Sequence, residues 1–376
     1  MKQRLIFIDL LRGWATIVMI EVHVFNAFII PAYKETSWFG VLNYVNGLVA
    51  PSFIFIAGFI FPVTSQRKVE EFRLYGHAFW KQLRRIGFIW AIGYVLHLPY
   101  FSFHRTIHES TQMEWLKFYQ ADVLHCIALG LLVLFVTRLV ISSDKTYRRV
   151  LLGFGLFIIA IAPFVWDLDV YGFIPAPLAA YISGDRYSQF PIFPWLGFMM
   201  FGGYCAQRFL EAKQTDREKP FMKKFAIVGL LCAIAGSAIM RIPVHVPLAS
   251  LDVRPNTFFF IERFGIVLLL LFLCWWYEEK RKTERSVVLT VSRESLFVYA
   301  GHLLVIYGMF FGERSLSSTF GGTLDVVDCI FATLTLIVAM IVSATFWGWL
   351  KREHVPLARG ISFATVFLFL YLYFTR

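Results

Sequence analysis

A chain of 376 residues that is 58% hydrophobic and only 16% charged, with a mean hydropathy of +0.64, is too apolar for an ordinary soluble globular domain. Its apolar runs are long and continuous rather than short and alternating, which excludes a transmembrane barrel and predicts an all-α, polytopic transmembrane helix bundle. The formal charge of +11 sits mainly between those runs and comes with no nucleic-acid motif, so it points to membrane orientation and membrane lipids as partners rather than nucleic acid.

In chain order, apolar windows of about 20 residues fall near 5–30, 41–64, 86–103, 121–141, 149–166, 190–210, 225–242, 257–277, 294–312, 326–349 and 360–375. They predict about eleven spans, within a range of ten to twelve. With the N-terminus cytoplasmic, 25 of the 36 Lys and Arg residues fall in inner segments, from Lys2 and Arg4 through Arg67–Arg85 to Lys351–Arg359. Asp9 and Arg12 interrupt the apolar region a signal peptide would need, so the first segment is expected to be a permanent helix. No internal repeat or long hydrophilic linker divides the chain, and a single integral domain over residues 1–376 is the simplest organisation. Cys126, Cys205, Cys232, Cys274 and Cys329 lie in apolar stretches without a CxxC or Cys/His ligand pattern, and are expected to be buried thiols with no metal.

The first span carries Asp9, Arg12 and His23. The 11 steps from Arg12 to His23 total roughly 1,100°, which brings the two side chains within about 20° of one another and about 16 Å apart along the axis. Asp9 precedes Arg12 by one turn, and Thr16 and Asn26 extend the same face, with Ile17, Val18, Val22 and Val24 as lipid-compatible remainder. Glu21 falls on the opposite face and needs a partner of its own. An intramembrane cation costs roughly 2.5–3.5 kcal/mol on insertion scales, so this stripe should face protein or a water-filled cavity.

Further polar residues recur along the chain. Asn43 and Asn46 open the second segment and suit interhelical hydrogen bonding. Asp122 and His125 form an i,i+3 pair at the outer end of the fourth, positioned to converge with His23. Phe190-Pro191-Ile192-Phe193-Pro194-Trp195 opens the sixth irregularly, either to shape a cavity or as a stiff start with an interfacial Trp. Glu262 and Arg263 interrupt the eighth, while Ser295, Tyr299 and His302 run down the ninth. Each has a structural reading: buried histidines such as His97 and His302 commonly satisfy a backbone group, and buried charges pair with neighbouring helices.

Taken together, Ile8-Asp9-Leu10-Leu11-Arg12-Gly13 with Glu21-Val22-His23, Val49-Ala50-Pro51-Ser52-Phe53-Ile54-Phe55-Ile56-Ala57-Gly58, Asp122-Val123-Leu124-His125 and Glu294-Ser295-Leu296-Phe297-Val298-Tyr299-Ala300-Gly301-His302 resemble the heparan-alpha-glucosaminide N-acetyltransferase family of membrane acetyltransferases. Arg12 and His23 also reproduce the Arg-x10-His spacing of the acyltransferase-3 families. The resemblance implies transfer of an acetyl or other short acyl group from cytoplasmic acyl-CoA to a sugar or glycan acceptor on the outer side. It implies Asp9, Arg12 and Arg263 as candidates for holding the coenzyme, and His23 as general base or acyl carrier, the base being favoured. Asp122 and His125 would then orient His23 or the acceptor, and His302 is a further catalytic candidate. One departure stands out. The lysosomal branch has Asn where His23 stands, and its catalytic His precedes a Ser-Trp pair; here that stretch reads Lys34-Glu35-Thr36-Ser37-Trp38. The bacterial relatives point to a bacterial inner membrane, and an oligomer is compatible with these features. A transporter or permease that couples solute movement to intramembrane Asp, Arg and His is the competing reading.

Overall fold

A computed structural model describes residues 4–166, 168–242, 255–281, 286–308 and 314–376. Lys2, residues 282–285 of the penultimate basic segment and the end of the ninth window lie outside the described residues. The principal helices are α1 (Ile6–Phe28), α2 (Ser37–Asn46), α3 (Val49–Ser65), α4 (His77–Leu96), α5 (Val123–Val140), α6 (Asp144–Val165) and α7 (Ile192–Gln214). They continue with α8 (Glu218–Ile239), α9 (Thr257–Arg281), α10 (Val287–Arg293), α11 (Ser295–Tyr307), α12 (Val326–Glu353) and α13 (Val355–Thr375). Every apolar window of the sequence overlaps a helix. Among the described residues the fold is all-α, with one isolated bridge between Ile29 and Leu324.

Among the described residues, seven helical segments are long and apolar enough to cross a membrane by length and composition, or eight if α10 and α11 form one bent span. Helices α1, α4 and α7 are of membrane length but outside that set. Charge accounts for two of them: α1 carries Asp9, Arg12 and Glu21, and α4 begins with Lys81, Arg84 and Arg85. Helices α1 and α7 are heavily buried, so much of their surface faces protein and need not be as apolar as lipid-facing surface. The described part of the ninth window holds the 13 residues of α11, and α10, which precedes that window, meets α11 at 85° across Glu294.

The chain forms two compact units: Met1–Val49, Leu98–Ser110 and Cys274–Arg376 make the first, and Ala50–His97 and Thr111–Leu273 the second. In the first, α1 packs on α10, α11 and α12 around Ile20, Val24, Phe28, Val298, Ile306 and Met340. Val24, expected on the lipid-compatible side, is 1% exposed, whereas Asn26, expected on the polar face, is exposed. Pro31 decides where α1 stops. A residue before proline is driven out of the α region, so Ile30 leaves the helix; its N–H donates to the Leu324 carbonyl at 2.9 Å, and Leu324 N donates to the Phe28 carbonyl at 2.9 Å. Gly13 lets α1 approach α10, because a Cβ there would stand 2.3 Å from the Val288 carbonyl oxygen.

In the second unit α6 packs on α7 and α4 on α5, with a phenylalanine cluster in which Phe198 and Phe260 lie 4.3 Å apart. The irregular start of α7 is present: Phe193 is non-helical at φ −98° and ψ 117°. Trp195 is not interfacial. It is 7% exposed and packs against Phe190, Phe198 and Phe259. All five cysteines are free, with Cys126, Cys205 and Cys329 buried and Cys232 and Cys274 partly so.

Candidate active site

The polar stripe of α1 finds its partners on the bent pair α10–α11. At the N-terminal end, Asp9 is 5% exposed and accepts from Arg4, from Arg12 Nη2 at 2.7 Å and from Ser292 Oγ at 3.4 Å. Arg12 Nε donates to Ser292 Oγ at 2.9 Å. Ser292 is fully buried, and no sequence pattern singled it out; its proximity to the bend at Glu294 is visible only in three dimensions. Leu5 at the N-cap has no side chain to satisfy the first turn of α1. The Glu278 carboxylate does so instead, accepting from Phe7 N at 2.7 Å, where the positive end of the helix dipole also favours an anion.

The bend carries more charge. Glu294, 8% exposed, accepts from Lys351 Nζ at 2.5 Å, which ties the junction to the C-terminal turn of α12. Arg293 stands close enough to Arg4, Arg352, Asp9 and Glu294 to interact with each. The α10–α11 junction is thus ringed by Arg4, Arg12, Arg293, Lys351 and Arg352, with Asp9 and Glu294 as the interleaved acids.

About three turns further along α1, His23 meets His302 of α11, with ring centroids 5.1 Å apart. Tyr307 stands edge-on to His23 at 6.2 Å, and Tyr299 edge-on to His302 at 5.9 Å. His302 is fully buried, and its Nδ1 lies 2.8 Å from the Val298 carbonyl oxygen. A carbonyl only accepts, so Nδ1 carries the proton and Nε2 of the neutral ring holds the free lone pair. That Nε2 is buried with no hydrogen-bond partner among the described residues. The backbone bond is the ordinary fate of a buried helical histidine. The orphaned nitrogen beside a second imidazole is not.

The other sequence candidates belong to the second unit. Asp122 is the N-cap of α5, and its Oδ1 accepts from the His125 backbone N at 2.9 Å and faces His125 Nδ1 at 2.8 Å. His125 Nδ1 also lies 3.3 Å from Asp122 N, but the 2.8 Å contact to the carboxylate is shorter and charge-assisted, and it holds the His125 proton on Nδ1. His125 Nε2 is then buried without a hydrogen-bond partner among the described residues. His97 Nδ1 donates to the Gly93 carbonyl at 2.8 Å and stands 3.9 Å from Asp122. Gly93 makes room for this dyad, since a Cβ there would come within 2.8 Å of the His125 ring. Tyr94 packs edge-on to His125 at 4.3 Å and shares a hydrogen bond with Tyr181, which also accepts from Trp90 Nε1 at 2.7 Å. Burial pushes the Tyr181 phenol upward, so it stays protonated. No sequence pattern marks this Trp90–Tyr94–Tyr181 set, whose members are up to 91 residues apart.

Arg263 is 6% exposed, with Nε 3.7 Å from Glu262 and its guanidinium over the Phe259 ring at 5.3 Å. The structure therefore gathers Asp9, Arg12, His23 and His302 within the first unit, and Asp122, His125, Glu262 and Arg263 within the second. No group of three or more His, Cys, Asp or Glu side chains suited to a metal occurs among the described residues.

An all-α chain with seven or eight apolar helical segments of membrane length among its described residues is an integral membrane protein. The profile of the heparan-alpha-glucosaminide N-acetyltransferase catalytic family matches residues 4–247, and the chain belongs to that family. The matched stretch contains Asp9, Arg12, His23, Asp122 and His125 and ends before Arg263 and His302. No curated protein matches the chain.

Proposed function

We propose that this protein moves an acetyl or other short acyl group from acyl-CoA, presented at the cytoplasmic face, to a sugar or glycan acceptor on the outer side, with the His23–His302 pair as reaction centre. The observation that carries this reading is the buried, unpartnered Nε2 of His302, held in the basic tautomer beside His23. In the step we write, the acceptor's hydroxyl or amine attacks the thioester carbon and its proton passes to His302 Nε2. The new C–O or C–N bond forms as the C–S bond breaks, and the coenzyme thiolate leaves and recovers a proton from the imidazolium. This places the base on His302 and leaves His23 to position the acceptor or stabilise the passing charge.

The orientation follows from the basic segments: about eleven spans with the N-terminus inside, in a bacterial inner membrane. The ring of Arg and Lys residues around the α10–α11 junction then faces the cytoplasm and suits the phosphates of the coenzyme, with Asp9 setting the direction of Arg12. Arg12 and His23 are about 16 Å apart along the helix, a distance an extended pantetheine arm spans. The burial of Arg263 against Glu262 and Phe259 favours a structural role for it, and the Asp122–His125 dyad fixes the start of α5.

The test is to incubate purified protein with acetyl-CoA and a panel of amino sugars and cell-envelope glycans and to follow products by mass spectrometry. Acetylated acceptor and free coenzyme A are expected in equal amounts. Absence of both coenzyme binding and thioester consumption across the panel overturns the proposal.

A further inference from the structure

Helix α4 lies in the second unit and buries one side, on Ala78, Ile86, Ile89 and Gly93. Its other side carries a single stripe at helical spacing, made of His77, Lys81, Arg84, Phe88, Ala91 and Val95, and every one of these is exposed. Arg85, also exposed, stands beside Lys81 and Arg84. The stripe changes character along the axis. Its cytoplasmic turns are cationic and the remainder is apolar, with Trp80, 52% exposed, at the cationic end and Phe88, 57% exposed, one turn beyond Arg84.

Lys81, Arg84 and Arg85 form no ion pair among the described residues, and Arg84 Nε donates only to the Trp80 carbonyl of its own helix, at 3.3 Å. Glu71, the acid that reaches the start of α4, accepts from the Ala78 N–H at 2.7 Å. By contrast, Arg138 pairs with Asp144, and Arg148 and Arg208 share Glu211. Like charges at i,i+3 and i,i+4 repel, so Lys81 beside Arg84 and Arg85 strains the helix unless an anion lies among them. The chain just ahead of α4 fits the same surface. Leu74 and Tyr75 are 80% and 65% exposed, and Tyr75 is held at φ 54°, a left-handed backbone that a tyrosine adopts at a cost. Bulky apolar side chains held outward at the edge of a cationic patch suit a membrane interface.

We propose that this face of α4 binds an anionic phospholipid, its phosphodiester against Lys81, Arg84 and Arg85 and an acyl chain along Phe88, Ala91 and Val95. Charge selects the head: exposed cations without internal partners hold a net-negative phosphate better than a phosphocholine, whose own ammonium cancels it. Length suits the tail. Arg84 and Val95 are about 16 Å apart along the axis, comparable to one leaflet of a ~30 Å hydrocarbon core. A soluble acidic partner would meet the cations but leave Phe88, Ala91 and Val95 uncovered. With the N-terminus inside, the cationic end of α4 faces the cytoplasmic leaflet, where anionic lipids lie. The site rests on that orientation and not on the acetyl-transfer step.

The test titrates purified full-length protein in detergent with dioleoyl phosphatidylglycerol and dioleoyl phosphatidylcholine, identical in acyl chains, and counts bound lipid by native mass spectrometry. Phosphatidylglycerol is expected to bind at least about tenfold more tightly. Each cation at a membrane surface contributes about fivefold, so joint Lys81→Gln, Arg84→Gln and Arg85→Gln should weaken phosphatidylglycerol by at least about tenfold and leave phosphatidylcholine within about threefold. Removing three charges elsewhere, by Lys219→Gln, Lys223→Gln and Lys224→Gln in α8, should leave phosphatidylglycerol within about threefold. Thermal unfolding checks the fold of each variant, and the comparison of the two lipids on the unaltered protein stands even if a variant does not fold. Equal affinity for the two lipids overturns the proposal, as does an α4 variant that binds phosphatidylglycerol unchanged or is weakened no more than the α8 variant. Displacement of the lipid by soluble glycerophosphate at matched concentration overturns it too, since the head alone would then suffice.

Discussion

Replacing His302 with Asn separates chemistry from packing. An Asn side chain places its amide Nδ2 where the imidazole carries Nδ1, so it can still donate to the Val298 carbonyl at the same 2.8 Å position. What it lacks is Nε2 and that atom's lone pair. Loss of part of a fully buried ring should lower stability by about 1 kcal/mol, close to the centre of the range for single substitutions. Loss of a positioned general base typically lowers rate by about 10²–10⁴-fold, which at about 1.36 kcal/mol per decade is roughly 2.7–5.4 kcal/mol of transition-state stabilisation. The catalytic effect therefore exceeds the structural one by more than a factor of two. The assay is kcat for acetyl transfer measured by product mass, beside KM for acetyl-CoA and the thermal midpoint. We expect kcat to fall at least a hundredfold with KM within about threefold, as befits a group that acts in the transition state. Because the His23 and His302 rings are in contact, a double-mutant cycle with His23→Ala should be non-additive by more than about 0.5 kcal/mol. A folded His302→Asn protein with kcat within about threefold of the unaltered enzyme would refute the reasoning.

Arg12→Gln should weaken acetyl-CoA binding by about tenfold while leaving acceptor KM nearly unchanged, since a guanidinium–phosphate pair is a charge-assisted bidentate contact; unaltered coenzyme affinity in calorimetry would reduce Arg12 to its bonds with Asp9 and Ser292. Gly13→Ala puts a methyl 2.3 Å from the Val288 carbonyl oxygen, where backbone must move, and should lower stability by about 1–3 kcal/mol in thermal or denaturant unfolding. An unchanged midpoint would mean that α1 and α10 separate at no cost.

The positions of the helices were legible in the sequence because burial in lipid or protein demands about 20 consecutive apolar residues, and all eleven windows overlap helices. Asp9 and Arg12 were legible as a pair for the same reason: i,i+3 spacing on one helix is local geometry, and the ion pair is present at 2.7 Å. The Asp122–His125 pair was legible likewise. Departures from the expected pattern came where a neighbouring element intervened. Val24 belongs to the core because α11 and α12 pack on it, and Trp195 is enclosed by Phe190, Phe198 and Phe259 rather than lying at an interface. The bend at Glu294 has no proline or glycine to announce it; the carboxylate bound to Lys351, 57 residues away, marks it only in three dimensions.

By itself, the sequence determined the membrane class, the family and the stripe on α1, all of which follow from hydropathy, short-range periodicity and the order of motifs along the chain. Tertiary structure alone decided what faces that stripe: Ser292 against Arg12, and His302 against His23. Those pairs are about 280 residues apart in sequence, and no local propensity encodes which of several intramembrane histidines will meet. The tautomer of His302 was decided the same way. A carbonyl four residues earlier takes the Nδ1 proton, and burial by neighbouring helices leaves Nε2 as the lone base.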